Sequence, residues 1–378
     1  MKLLFASDSF KGTLSSQQII RLLKASAEKI FPGCETVGVP IADGGEGTVE
    51  AVITVTGGKY RQVKVHGPLM EETTASYGVF HGDRAVIEMA AASGLPMVPV
   101  EKRNPLETTT YGTGELIRDA LEQGYRKIAV AIGGSATNDG GMGLLQSLGA
   151  RFYDMNHKYL SPQAMNLEKI RYIDLNRLNK LEGIELIAAC DVKNHLLGEN
   201  GATYVFGKQK GFFPNQIKKV DMAMQNYRDQ LYRYTHVDID TFEGGGAAGG
   251  IGAVLIGILQ AKMMPGIELL MSYSDIEDQI QDCDLVITGE GQSDRQTMYG
   301  KVPAGILKVA KKHDKPIICI SGALGIGYMD LYELGFVGIY SIADRAMTFQ
   351  QALENAPEKL ELAAYGIMRT IWYFKNHS

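Results

Sequence analysis

The stretch KLLFASDSFKGTLSSQQIIRLLKASAEKIFPG, residues 2–33, sets the pattern of the whole chain. Residues 3–6 form a short apolar run that reads as a buried strand. Asp8-Ser9-Phe10-Lys11-Gly12-Thr13 follows as a polar turn. Apolar residues then fall at positions 14, 19, 20, 22, 23, 27 and 30, the spacing of one helix face, and Pro32-Gly33 ends the helix. The pattern recurs at once. Residues 36–41 predict a second strand, Ala42-Asp43-Gly44-Gly45-Glu46-Gly47 a loop, and residues 48–56 a second helix closed by Gly57-Gly58. Alternating strand, loop and helix is the signature of an α/β fold. The opening apolar run is too short for a signal peptide.

After residue 60 the rhythm changes. Residues 62–65, 73–80 and 84–89 read as strands with no helix between them, the last two joined by the hairpin signal His81-Gly82-Asp83. Helices are predicted at 113–123, 140–148 and 215–234, and strands at 127–132 and 186–189. Tyr204 and Phe206 alternate in TYVFG and read as core strand residues. Residues 244–261 carry no charge, but seven of these 18 are glycine, so a buried, glycine-led helix is expected rather than a membrane span. The α/β rhythm returns near 270, with strands at 284–288, 317–321 and 337–342 and helices at 303–312 and 358–373. The economical architecture is a discontinuous, Rossmann-like parallel-sheet domain made of residues 1–66 and 271–378. A second α/β domain, residues 67–270, is inserted into it, and the active site is expected in the cleft between them.

Composition excludes several classes. The 378 residues are 45% hydrophobic and 21% charged, with 38 Lys plus Arg against 43 Asp plus Glu, a net charge of −5. A mildly acidic chain lacks the broad basic surface that nucleic-acid backbones require. The four cysteines form no CxxC pair, which argues against a zinc ribbon and points to a reducing, cytoplasmic setting. No GxSxG elbow, HExxH helix or Walker A loop is present.

The 44 glycines are clustered in loops that mix them with acidic or small polar residues. Most of these loops follow a predicted strand, where open α/β sheets bind ligands. Residues 133–141 and 244–250 each open a helix, so their backbone N–H groups could meet a phosphate; tight packing is the plain alternative. Asp43, Glu46, Asp191, Glu290 and Asp294 sit in loops where Mg²⁺ could use one or two carboxylates, or where each could simply cap a turn. Lys11 could neutralise a phosphate. Arg103 could clamp a substrate carboxylate through a bidentate pair, with a surface ion pair as its alternative. Together these residue types match phosphoryl transfer, which asks for positioning and charge neutralisation.

The motifs SDSFKGTLS (7–15), PIADGGEGT (40–48), NPLETTTYGTGELI (104–117), IGGSATNDGGMG (132–143), CDVKNHLLGENGATYVFGKQKG (190–211), GGGAAGGIG (244–252) and TGEGQSDRQTMYGKVPAGI (288–306) resemble the type-1 glycerate kinase family nearly end to end. His195 and Lys208 stand where that family commonly has proline. The resemblance implies ATP-dependent phosphorylation of D-glycerate with Mg²⁺, giving 2-phosphoglycerate. Charge, cysteine usage and the lack of a long apolar run add the expectation of a cytoplasmic protein with neither nucleic-acid nor membrane partners, either a monomer or a homodimer. The resemblance makes Lys11, Asp43 and Asp191 the expected catalytic residues. Asp191 is expected to hold Mg²⁺ with Glu290 or Asp294. Substrate is expected at Ser9, Glu46, Arg103, Ser135, Asn138 and Asp139. Nucleotide phosphates are expected at Gly133, Gly134, Gly245, Gly246, Gly289 and Lys301. Two rivals are a kinase of another small hydroxy acid and a non-catalytic sugar-acid sensor on the same fold; the persistence of Lys11, Asp43, Asp191 and Asp294 argues against the sensor.

Overall fold

The apolar run at the start of the chain becomes strand Lys2–Ser7, an inner strand of a five-stranded parallel sheet in a computed structural model that describes residues 1–181 and 183–377. Leu3, Leu4, Phe5 and Ala6 are all fully buried, as a parallel strand covered on both faces requires. The chain divides into two compact units. One comprises Met1–Asp43, Glu50–Thr56 and the chain from Ile267 onward; the other comprises Gly44–Val49 and Gly57–Gly266.

In the first unit the strands lie in the order Gly338–Ser341, Ile317–Ser321, Leu285–Gly289, Lys2–Ser7, Glu35–Gly38. Counted along the chain this is the order 5-4-3-1-2. The sheet therefore reverses direction between Lys2–Ser7 and Leu285–Gly289, which pair in parallel with Ser7 opposite Gly289. Helix Ser16–Ile30 starts at Ser15, whose side chain accepts from the Gln18 N–H while the Gln18 side chain accepts from the Ser15 N–H. This reciprocal cap satisfies two otherwise orphaned donors. The helix packs on Ala356–His377, and Ile19, Leu23, Leu360 and Met368 join Leu3 and Phe5 in the core.

The second unit is built on a six-stranded mixed sheet in the order Lys262–Met264, Glu185–Ala189, Lys127–Ala131, Arg84–Glu88, Glu72–Phe80, Lys59–His66. The first four strands are parallel and the last two antiparallel. The predicted hairpin turn is present, with positive φ at both His81 and Gly82. Strand Lys59–His66 pairs with Glu72–Phe80 in this sheet, so the boundary expected at residue 66 falls at the far end of an edge strand of the second unit.

One segment departs from its propensity. TYVFG lies not in a strand but in helix Ala202–Lys210. Gly211 ends that helix in the left-handed region with φ 116°, its N–H donating back to the Gly207 and Lys208 carbonyls. The buried positions Thr203, Gly207 and Lys210 recur at helical spacing, so β-forming side chains yield to the tertiary packing of one helix face. The glycine-led segment is also shorter than expected: the helix proper is Ile251–Gly257, preceded by a single 3₁₀ turn, Ala247–Gly249.

Candidate active site

The carboxyl ends of four neighbouring parallel strands of the first unit open into one cavity of about 430 Å³. It lies at the reversal of strand order, the place where open α/β sheets hold ligands. The link is direct: the Asp8 N–H donates to the Gly289 carbonyl at 2.9 Å, fixing the two strand ends side by side.

Six expected site residues line this cavity: Ser9, Lys11, Asp43, Glu290, Asp294 and Lys301. Lys11 Nζ donates to Asp43 Oδ2 at 2.6 Å. Glu290 is buried. Its Oε1 accepts from the Ser293 and Thr297 hydroxyls at 3.0 and 2.5 Å, and its Oε2 lies 3.5 Å from Lys301 Nζ. Burial pushes the Glu290 carboxyl above its usual range, against the pull of those hydroxyls and of Lys301. Asp294 caps the short helical turn after it, accepting from Gln296 N at 2.8 Å, and also accepts from Gln292 Nε2 at 3.0 Å. Gly289 lies in the strand itself; a Cβ there would sit 2.0 Å from the Ile320 carbonyl oxygen, so this glycine serves strand packing.

Two charged lining residues were not singled out from the sequence. Asp8 is buried, and its carboxyl is pushed up to about 7 by that burial and by the nearby Asp43 and Glu290 charges, against the field of Lys11 and the Ser9 N–H that it accepts at 2.7 Å. Lys359 is 5% exposed and donates to Asp344 Oδ2 at 2.7 Å. Strand order, which places Asp8 at the reversal point, cannot be read from residue spacing. Lys359 lies on an amphipathic helix 348 residues further along the chain than Lys11, with no local motif to mark it.

The other expected residues belong to the second unit. Asp191 follows strand Glu185–Ala189, and its Oδ1 accepts from the Gly266 N–H at 3.0 Å. Asp139 is fully buried. It accepts from the Thr110 N–H and hydroxyl, both at 2.8 Å, and from the Gly141 and Gly143 N–H groups at 3.2 Å, so it organises its loop from within. Asn138 donates to the Thr203 hydroxyl at 3.0 Å, and its buried Oδ1 has no hydrogen-bond partner among the described residues. Ser135 accepts from Lys210 Nζ at 3.2 Å. Arg103 Nε points at the Val98 carbonyl at 3.4 Å, and Glu46 is exposed.

The glycine clusters of this unit are governed by packing. The N–H groups of Gly133, Gly245 and Gly246 donate to the Gly44, Phe242 and Asn194 carbonyls, so they are not available as a phosphate cradle. A Cβ on Gly133 would sit 2.7 Å from Gly45 Cα, and one on Gly246 would sit 2.1 Å from the His195 carbonyl oxygen. Gly134 needs its glycine for φ +80°.

Lys210 lies at the end of helix Ala202–Lys210. Its ammonium is buried and donates to the Thr137 carbonyl at 2.6 Å; burial pulls its pKa down to about 7, against the field of Asp139. All four cysteines are free thiols. Among the described residues, no helix is long and apolar enough to cross a membrane. None of them gathers three or more His, Cys, Asp or Glu side chains into a metal cage.

The glycerate kinase family model matches residues 3–372. The chain is 43% identical to the glycerate 2-kinase of Escherichia coli (strain K12), covering 98% of each chain. It is 42% identical to the glycerate kinase of Bacillus subtilis (strain 168), again over 98% of both. The crystal structure of a protein provisionally assigned as glycerate kinase 2 from Salmonella typhimurium LT2 superposes with a TM-score of 0.85 at 41% identity, covering 100% of this chain and 99% of that one.

Proposed function

The chain belongs to the glycerate kinase family, and we propose that it transfers the γ-phosphoryl group of ATP to the 2-hydroxyl of D-glycerate with the help of Mg²⁺. It is a phosphotransferase with an alcohol as acceptor. The observation that carries the finer reading is the charge pattern of the first unit's cavity.

Four carboxylates, Asp8, Asp43, Glu290 and Asp294, face the cavity together with three ammonium groups, Lys11, Lys301 and Lys359. The lysines suit a polyphosphate, but the balance leaves no surplus of positive charge to hold one. A divalent cation removes the conflict. Mg²⁺ needs only one or two carboxylates and completes its shell with phosphate oxygens and water. Glu290 and Asp294 are hard oxygen donors of that kind, and the burial that raises the Glu290 pKa makes a cation beside it favourable. When bound, the ion would neutralise charge on the phosphoryl oxygens.

The protein's own groups carry the remaining steps. Lys11 attracts the transferring phosphoryl group and, through its 2.6 Å bond, holds Asp43 in place. The Asp8–Asp43 pair takes the proton released by the glycerate hydroxyl. Lys301, at the start of helix Val302–Lys312, attracts phosphate oxygens. In the second unit, Arg103 carries a planar guanidinium, a group that suits a carboxylate. Asp191, also in the second unit, has its Oδ1 oriented by the Gly266 N–H.

Phosphorus NMR of the product from D-glycerate, ATP and Mg²⁺ tests activity and position together. The expected resonance is that of 2-phosphoglycerate. A 3-phosphoglycerate signal would correct the position, and no new phosphomonoester would end the kinase reading.

A further inference from the structure

The cavity of the first unit has two chemically different ends. Beside strands Lys2–Ser7 and Leu285–Gly289 its wall is charged, with Asp8, Lys11, Glu290 and Lys301. Beyond strand Gly338–Ser341 it is lined by Ile342, Ala343, Met347, Phe349, Ala352 and Leu353, none of them charged. Strands Gly338–Ser341 and Lys2–Ser7 are three intervals apart in the sheet, a separation of about 14 Å. Glycerate is too small to span that distance and has no apolar body to place at the far end. A molecule with a flat, weakly polar body and a polyanionic tail matches both ends.

We propose that the segment from Ile342 to Ala356 is the nucleobase site of this enzyme, with Phe349 as the stacking surface and the triphosphate running along the strand ends toward Lys301 and Lys11. This deepens the kinase reading above and rests on it. Phe349 is 79% exposed at the rim of the cavity. It opens helix Phe349–Glu354, whose start is fixed by a reciprocal cap: Gln351 N donates to Thr348 Oγ1 at 3.2 Å, and Thr348 N donates to Gln351 Oε1 at 3.0 Å. The ring is therefore presented from a held turn. Lys359, lining the same cavity one helix further on, is buried and oriented by Asp344, which places a hydrogen-bond donor beside the bound nucleoside.

The test is calorimetric titration of the full chain with ADP and, separately, with inorganic tripolyphosphate. The variants are Phe349→Ala, which removes the stacking surface, and Ala352→Trp, which fills the apolar end. ADP is expected to bind about tenfold more weakly to Phe349→Ala, the scale of a lost base–aromatic stack, and at least a hundredfold more weakly to Ala352→Trp. Tripolyphosphate affinity should stay within twofold of wild type in both, which also shows that the variants are folded. Photolabelling of the unaltered protein with 8-azidoadenosine triphosphate should attach within residues 342–356. Unchanged ADP affinity in both variants, or a label confined to other segments, overturns the assignment. Glycerate turnover by wild type with unchanged ADP affinity in the variants keeps the kinase reading and removes the base site. Weakened ADP binding in the variants, with no turnover of glycerate by wild type, does the reverse.

Discussion

Lys11 Nζ lies 2.6 Å from Asp43 Oδ2, a pair that joins the loop after the first strand to the last residue of its segment of the first unit. Lys11 is 56% exposed, and an ion pair this open contributes at most about 1 kcal/mol to stability. On the function proposed above, its value lies in the charge it presents to a ligand. Lys11→Ala should leave the urea midpoint nearly unchanged and lower kcat on the order of 10²–10³-fold, the range found when one electrostatic partner of a transition state is removed. Turnover within threefold of wild type would take Lys11 out of the reaction.

Asp8 should leave a signature in stability against pH. Its folded pKa is raised from 3.8 to about 7, chiefly by burial and then by Asp43. Between those values the folded protein keeps a proton that the unfolded chain has released. The stabilisation is complete below 3.8 and is lost as pH rises through about 7. Asp8→Asn cannot ionise, so its stability relative to wild type should grow across that window and level off above it. Urea unfolding at pH 5 and pH 8 in the presence of a chelator measures this. A difference that does not change with pH would show that Asp8 titrates normally.

Gly246 separates the two meanings of the glycine clusters. Its φ is −74°, so a side chain there meets no backbone strain, but its Cβ would sit 2.1 Å from the His195 carbonyl oxygen and 3.1 Å from the Ala202 nitrogen. Gly246→Ala should cost about 1–3 kcal/mol of unfolding free energy, as overpacking does. If this glycine instead served a phosphate, stability would hold and only the KM for ATP would rise.

These contrasts show what the sequence made legible and what it could not. The first strand and helix were readable because an apolar run, a turn and a 3.6-residue pattern sit within thirty residues of one another. Residues 203–207 were not, because their preference for strand is a weak local term and the helix is decided by Gly211 and by what Thr203, Gly207 and Lys210 pack against. The loops carrying Lys11, Glu290 and Asp294 were recognisable from their polar residues set among glycines at strand ends. That these loops face one cavity with Asp8 depends on strand order, a long-range property that spacing does not encode. The glycines at 245 and 246 look the same in sequence whether their N–H groups meet a phosphate or another loop's carbonyl.

Lys210 should titrate in the opposite sense to Asp8. Burial lowers its folded pKa from 10.5 to about 7. Across that interval the unfolded chain holds the extra proton, so wild-type stability rises with pH from about 7 to 10.5. Lys210→Met has no such group. Its stability relative to wild type should therefore be most favourable below pH 7 and decline steadily toward pH 10. Chemical unfolding followed by circular dichroism at three pH values is sufficient. A flat difference would mean that the ammonium is solvated in the native protein.

The pairing of the first strand with Leu285–Gly289 has a consequence for how the polypeptide is made. Thr288 Oγ1 reaches the Ala6 carbonyl at 2.6 Å across 282 residues of sequence. At ribosomal elongation rates of about 5–20 residues per second, strand Lys2–Ser7, once synthesised, waits on the order of half a minute for this neighbour. During that interval its Leu-Leu-Phe-Ala run has an unpaired edge in the nascent chain. Chaperone capture or mispairing at this segment would therefore be governed by translation speed, and slow codons upstream of residue 285 should lower the yield of folded enzyme more than the same codons placed after it.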